Sequence, residues 1–246
     1  MTVDSYTYTF FGKIFPERAN VNISPIVMKV NNKEAGIIGV LKTSIVGSQL
    51  SAQFLCKQKV DNIFTLKNYA DDAIRLQVDV LGYTLSCGYD IEITSMIDSL
   101  GNPQTVFGVN FDNIEQFKKQ RPKNFSEIMK LFSDEKGNHL RLCMGDLREA
   151  IRNPKDRGFF CYRAIESLMQ YFVKNGLDRD KTWQIFRENV GVNKDQIDFI
   201  KKFADPVRHG TSIYISPENG KKILDHTWEI VDKYILFAAN GYKKIK

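Results

Sequence analysis

The chain has 246 residues, 43% of them hydrophobic and 26% charged, with a formal net charge of +6. This length and balance suit one large globular domain or two small ones and exclude a chain dominated by low-complexity sequence. Its longest apolar runs, such as Tyr234 to Ala239, fall far short of the ~20 residues that cross a bilayer, so no membrane span is expected.

The first residues, Met1-Thr2-Val3-Asp4-Ser5, carry neither a basic n-region nor an apolar h-region, and a cytoplasmic location is expected. Cys56, Cys87, Cys143 and Cys161 form no C-x-x-C pair. With only His139, His209 and His226 beside them, no zinc site or redox pair is expected, and the thiols read as reduced and mostly packed.

The elements of the first half alternate between two periods. Tyr6, Tyr8 and Phe10 alternate with Thr7 and Thr9, the pattern of a strand with one buried face. Val21 to Val30 and Ala35 to Lys57 supply further β-branched runs, separated by the turn-like Asn31-Asn32-Lys33. From Leu66 the spacing becomes helical, with Leu66, Tyr69, Ala73, Leu76 and Val80 on one face. Tyr89, Ile91 and Ile93 alternate again, and Thr105 to Val109 fits a last strand. The expectation is one helix packed on a largely antiparallel sheet. No glycine-rich phosphate loop accompanies it, so no nucleotide cofactor is expected.

Residues 121–137 read as a linker carrying one short helical turn, Ser126 to Phe132. Five helices follow. Leu140, Met144, Leu147 and Ile151 mark the first, ending at Asn153-Pro154. Phe160, Ala164, Ile165, Leu168, Met169 and Phe172 mark the second, closed by Asn175-Gly176. Asp180 to Val190 is the third, with Trp183, Phe186 and Val190 inward, and Asn193 opens the fourth, with Ile197, Ile200 and Phe203. Ser216-Pro217-Glu218 opens the fifth with a capping hydroxyl, a proline at N1 and an acid in the first turn. The fold class is therefore α+β: a sheet domain over 1–120, the linker, then a five-helix bundle over 138–246.

Basicity is confined to the second half. Residues 1–120 hold 11 Lys+Arg against 12 Asp+Glu, and residues 121–246 hold 24 against 17. Such asymmetry fits an anionic partner such as nucleic acid, and it equally fits a solubilising helical surface. Lys201, Lys202, Lys221 and Lys222 bracket Asp205-Pro206-Val207-Arg208-His209-Gly210, where acid, guanidinium and imidazole crowd together. Pro206 is expected to end the fourth helix near Asp205, which leaves Arg208 and His209 on a connection of about ten residues, longer than bundle loops usually are. Asp205 alternatively caps a short turn that starts at Pro206.

On such a loop Arg208 would offer a fork of donors to a phosphate, and His209 would exchange the proton in cleavage of an RNA backbone. The competing reading is structural: Arg208 serves Asp205 or a helix C-terminus, His209 a backbone carbonyl, and Gly210 supplies a positive φ. Arg163 and Glu166 stand at i and i+3 on the second helix. They form either an exposed pair or, if that helix faces the 208 loop, part of a phosphate site with Arg163 as a nucleic-acid contact. Arg148, Arg152, Lys155 and Arg157 would extend such a track. His139 reads as exposed and His226 as packed.

Tyr162-Arg163-Ala164-Ile165-Glu166-Ser167-Leu168 on a long helix, then Arg208-His209, then a long final helix, resemble the HEPN superfamily (higher eukaryotes and prokaryotes nucleotide-binding) over residues 138–240. The resemblance implies a four- or five-helix bundle, a homodimer, and a metal-independent ribonuclease site of the type Arg-polar-x-x-x-His at the dimer cleft. Members act in toxin-antitoxin and phage-defence systems, and others have lost the motif and only bind. The family's histidine falls five to seven residues after the arginine, where this chain has Ile213, Tyr214 and Ile215. Two functional expectations follow. One is RNA binding, with a degenerate ribonuclease pair Arg208 and His209. The other is a catalytically inert module that recruits a protein partner through the first domain, which itself resembles uncharacterised bacterial and mobile-element proteins.

Overall fold

The computed structural model describes residues 5–108, 120–133, 135–173 and 176–244, and the chain divides into two compact units, Met1–Asn110 and Phe111–Lys246. In the first unit β1 (Tyr6–Phe15), β2 (Ile23–Asn32), β3 (Ile37–Val46), β4 (Gln49–Cys56), β5 (Asp90–Asp98) and β6 (Thr105–Val106) pair antiparallel. The sheet order is β2-β3-β4-β1-β5-β6. Alternation sends Tyr8, Phe10 and Ile14 of β1, Leu41 and Ile45 of β3, and Leu50, Ala52 and Phe54 of β4 into one core. The run from Ala35 to Lys57 splits into two strands at Gly47-Ser48, which both take positive φ (57° and 62°), as a two-residue hairpin matching strand twist requires. Ser48 is buried there and its Oγ accepts the Val21 amide at 2.9 Å. The expected strand over 105–109 is observed at Thr105–Val106, and Val109 lies outside the described residues.

One helix, α1 (Ile63–Leu85), covers the inner face of the sheet, capped by Asn62, whose side chain accepts the Thr65 amide. Its buried line is Leu66, Ala70, Ile74 and Val78. The expected line through Leu76 and Val80 is not the buried one: these are 54% and 55% exposed. The helix carries two apolar lines a fraction of a turn apart, and packing against the sheet selects the first. Arg75 then ties helix to sheet, reaching Asp71 at 3.2 Å and Asp90 of β5 at 2.6 Å.

In the second unit the described helices are α2 (Phe125–Lys130), α3 (Asn138–Arg152), α4 (Arg157–Met169), α5 (Arg179–Val190), α6 (Lys194–Arg208) and α7 (Pro217–Ala239). The five long ones match the expected bundle, and their starts follow local chemistry. Asp178, Asn193 and Ser216 each cap with a side chain that accepts a first-turn amide. Residues 121–137 differ from a free linker. Asn124 and Glu127 form a capping box for α2, Ile128, Leu131 and Phe132 pack on the bundle core, and Arg121 pairs with Asp232 of α7 at 2.8 Å.

α4 is central, touching α3, α5, α6 and α7. Its approach to α6 is close: a Cβ on Gly158 would lie 2.6 Å from Phe203 Cβ and 2.8 Å from the Phe203 carbonyl. α4 ends at Met169 and tightens into a 3-10 turn over Gln170–Phe172. That is earlier than the expected Asn175-Gly176 close, of which Asn175 lies outside the described residues. On α3, burial falls on Leu140, Cys143, Asp146, Leu147 and Ala150, and the expected Met144 and Ile151 are only half-buried. Cys56, Cys143 and Cys161 are buried and Cys87 is exposed, all as free thiols. Burial pushes the Cys161 thiol up to about 12, which makes it an inert packing group.

His139 corrects an expectation. It lies within the first turn of α3, half-buried, with its ring edge-on to Tyr171 at 6.4 Å. Its Nδ1 has no hydrogen-bond partner among the described residues, and burial lowers its pKa.

Two predictions follow from this packing. Gly158→Ala replaces a glycine in the first turn of α4, where the gain in helix propensity is at most about 0.5–1 kcal/mol. The overlap with Phe203 reverses the sign, and a net loss of roughly 1–3 kcal/mol is expected in urea unfolding. The second concerns pH. His139 and His226 both have folded pKa values below the ordinary ~6.5, so the unfolded chain takes up protons first as pH falls. Stability should be full above that value and decline as pH drops through it towards the folded values. His139→Phe should flatten the decline in melting temperature measured between pH 7 and 5.

Candidate functional site

The segment that crowds acid, guanidinium and imidazole is a helix terminus. α6 buries Ile197, Ile200, Phe203 and Ala204, while Lys201 and Lys202 face outward and are exposed. It does not stop at Asp205. Pro206 lies inside the helix, which runs to Arg208. In the last turn a proline removes only one main-chain bond, and the turn closes without it. The Gly210 amide donates to the Val207 carbonyl at 3.0 Å, and the Thr211 amide donates to the Pro206 carbonyl at 2.8 Å. Gly210 holds φ at +76°. These are the paired bonds and left-handed residue of a Schellman cap.

Arg208 is therefore the last helical residue, placed where a cation meets the negative end of the helix dipole, and His209 is the C-cap. Both are exposed. Among the described residues no side-chain hydrogen bond or ion pair holds either one. The turn expected to start at Pro206 with Asp205 as its cap is not formed, because Asp205 is already helical.

The connection from Gly210 to α7 alternates. Ile213 and Ile215 pack on the bundle core and Tyr214 is 36% exposed between them. The positions at which the HEPN resemblance implies a histidine thus hold two core anchors and a surface phenol. α7 then starts at Ser216, whose Oγ accepts the Asn219 amide at 3.2 Å. Lys221 is half-buried and Lys222 exposed, with Lys222 Nζ 4.5 Å from the centre of the Phe199 ring of α6. Lys202 Nζ lies 5.9 Å from the Phe203 ring. The α6–α7 connection thus gathers Lys201, Lys202, Arg208, His209, Lys221 and Lys222 on the second half of one helix, its cap, and the first turns of the next.

Arg163 is held elsewhere. It does not pair with Glu166: its guanidinium grips Asp146 of α3, with Nε–Oδ1 at 2.7 Å, and lies over Phe159 and Phe160. Glu166 pairs instead with Arg179 of α5. Helix geometry permits an i, i+3 pair, but the buried carboxylate of Asp146 offers Arg163 a less hydrated partner. His226 is packed. Its ring is half-buried and edge-on to Phe199 at 5.6 Å, with Nδ1 3.4 Å from the Gln196 amide nitrogen. Burial first, then Lys222, lowers its pKa.

No cluster of three or more His, Cys, Asp or Glu able to hold a metal occurs among the described residues. In the first unit a depression of about 390 Å³ opens on the sheet at the β1 bulge, lined by Phe11, Lys13, Ser44, Gln49, Ser51 and Thr94 among others. No carboxylate, imidazole or thiol lines it.

Comparison with protein families matches both units. Residues 8–107 match the model of the Domain of unknown function (DUF8168) N-terminal domain, and residues 125–239 match that of the DUF8168 C-terminal domain. The chain thus matches DUF8168 along most of its length. The second match begins at the first residue of α2 and ends at the last residue of α7, so α2 is matched together with the bundle it packs on. No curated protein and no solved structure matches the chain significantly.

The Arg163–Asp146 pair is asymmetric, with side chains 48% and 8% exposed. Removing the arginine strands a buried carboxylate, whereas removing the carboxylate releases an arginine already half in water. Urea unfolding should show Arg163→Ala costing roughly 2–3 kcal/mol and Asp146→Ala about 1 kcal/mol.

Proposed function

We propose that the second unit is a HEPN-like bundle that binds the phosphates of RNA and does not cut the strand. The observation that carries this reading is the set of five cations, Lys201, Lys202, Arg208, Lys221 and Lys222, at one end of the α6–α7 pair. Among the described residues none of the five is in an ion pair, while Arg121, Arg163, Arg179 and Lys233 are each held by a carboxylate. Unpaired cations on a basic unit are available to displace counterions from a phosphate chain. Binding is favoured over cleavage because His209 lacks a side chain that would orient its ring, and because Tyr214 stands near the position of the motif's histidine. A tyrosine hydroxyl ordinarily exchanges protons poorly at neutral pH.

A second reading has its own support. α1 exposes an apolar line, Leu76, Val80 and Tyr83, with Tyr83 87% exposed, which suits recruitment of a protein partner through the first unit.

Fluorescence anisotropy with a labelled single-stranded RNA, without metal, tests the main reading. Five phosphate contacts would make the affinity fall roughly a hundredfold between 50 and 200 mM salt. The variant Lys201→Ala/Lys202→Ala/Arg208→Ala/Lys221→Ala/Lys222→Ala should lose both the binding and the salt slope, with the RNA intact on a gel. Cleavage that disappears in Arg208→Ala/His209→Ala would replace binding by nuclease action. Absence of any binding at low salt would remove the RNA reading and leave the protein-recruitment one.

A further inference from the structure

The two edges of the sheet are unlike. At one end β6 has only two residues, Thr105–Val106. At the other end β2 has ten, Ile23–Asn32, and most of them are exposed. An edge strand turns the N–H and C=O of every second residue away from its neighbour, which makes it a template for another chain. The start of β2 is guarded by Pro25 and by a register shift between Ile23 and Ile26. Over residues 27–32 the pairing with β3 is regular, and Lys29 is the only charged side chain.

α1 gives this open stretch an apolar flank. Asn32, at the end of β2, donates to the Tyr69 hydroxyl at 2.7 Å, and Gln77 Nε2 lies 3.2 Å from Met28 Sδ in the middle of the strand. Tyr69 and Gln77 thus mark the side of α1 that meets β2, whereas Arg75 marks the side that meets β5. Ala73, Leu76 and Val80 follow Tyr69 at four, seven and eleven residues, the spacing of a single helix side. Ala73 packs on the core, while Leu76 and Val80 on the same side are more than half exposed. A strand added to β2, at the ~4.8 Å spacing of a sheet, would run along this line and cover it.

Charge decides what kind of strand fits. Val27 and Lys29 of β2 lie opposite Lys42 and Val40 of β3. All four are on the sheet face away from α1, because Leu41, between Val40 and Lys42, points into the core. Lys29 and Lys42 are exposed, and among the described residues neither is in an ion pair. A second copy of the chain joined edge to edge would gather four lysines along one seam with no acid among them. An extended segment with acidic side chains on that face meets the same lysines favourably.

We propose that β2 and the adjoining side of α1 bind an extended protein segment as an additional strand, with its apolar side chains under Leu76 and Val80 and its acidic ones beside Lys29 and Lys42. Main-chain pairing supplies affinity in such a complex, and the alternating side chains supply specificity. The site deepens the recruitment reading of the first unit and rests on it; it is independent of RNA binding by the second unit.

A short fluorescent peptide in which valine alternates with glutamate tests the site on the full chain, against a peptide with lysine in place of glutamate. Anisotropy should show saturable binding of the glutamate peptide, with the lysine peptide weaker by roughly tenfold or more. Leu76→Asp/Val80→Asp changes two exposed positions and should weaken the glutamate peptide by a similar factor. Lys29→Glu/Lys42→Glu should reverse the preference between the peptides. Amide hydrogen exchange in residues 27–32 should slow when the glutamate peptide is bound. Binding without that slowing overturns strand addition and leaves recruitment through α1 standing. Equal binding of both peptides, or a preference that the lysine variant does not change, overturns the acidic partner. Self-association of the wild type that Leu76→Asp/Val80→Asp abolishes gives the edge to a second copy and overturns the proposal. No binding of either peptide overturns the strand site together with the recruitment reading, since both use the exposed line of α1.

Discussion

The second unit depends on the close approach of α4 to α6 at Gly158 and Phe203. Only a residue without a side chain lets the two backbones come so near, and the contact sets how the rest of the bundle is arranged. It holds α6 so that its C-terminal turns lie beside the start of α7, which brings the exposed lysines and Arg208 to one end. It also turns the first residue of α4 inward. Arg157 lies between the last turn of α3 and Gly220 of α7. One steric requirement therefore shapes both the outer basic surface and the inner guanidinium.

Charge in this unit is sorted by the partner that each cation meets. Arg163 and Arg179 find carboxylates on neighbouring helices, and their pairs staple α4 to α3 and to α5. Arg157 finds a carbonyl and open donors. Lys222 of α7 and Lys202 of α6 place their ammonium groups over aromatic rings, those of Phe199 and Phe203. Cations left without a carboxylate partner are those free to meet an anion from solution.

Much of the architecture was legible in the chain. Period-two runs marked the sheet, period-3.6 runs marked six of the seven described α-helices, and Asn193 and Ser216 marked starts of helices at which the caps are found. The candidate site was legible only in part. Asp205 to Gly210 reads as a reactive cluster because its side chains are reactive types, yet the segment's strongest physical signal is Gly210, the left-handed residue that closes a helix. The proline misled in the same place, since it breaks a helix interior but costs one hydrogen bond in a last turn. For Arg157 no neighbour in the chain signals its placement: the glycine it packs against, Gly220, lies 63 positions away near the start of α7.

The sequence by itself determined the local facts: which segments are strand or helix, where most helices start, that basicity lies in the second half, and that the histidine expected from the HEPN resemblance is missing. These depend on side-chain period, capping chemistry and composition, all of which act over a few residues. Tertiary structure alone decided which of two apolar lines on α1 is buried, that Arg163 answers Asp146 and not Glu166, and that Arg157 is drawn inward beside Gly220. Each of those outcomes depends on which groups meet across distant segments, where packing and desolvation outweigh local preference.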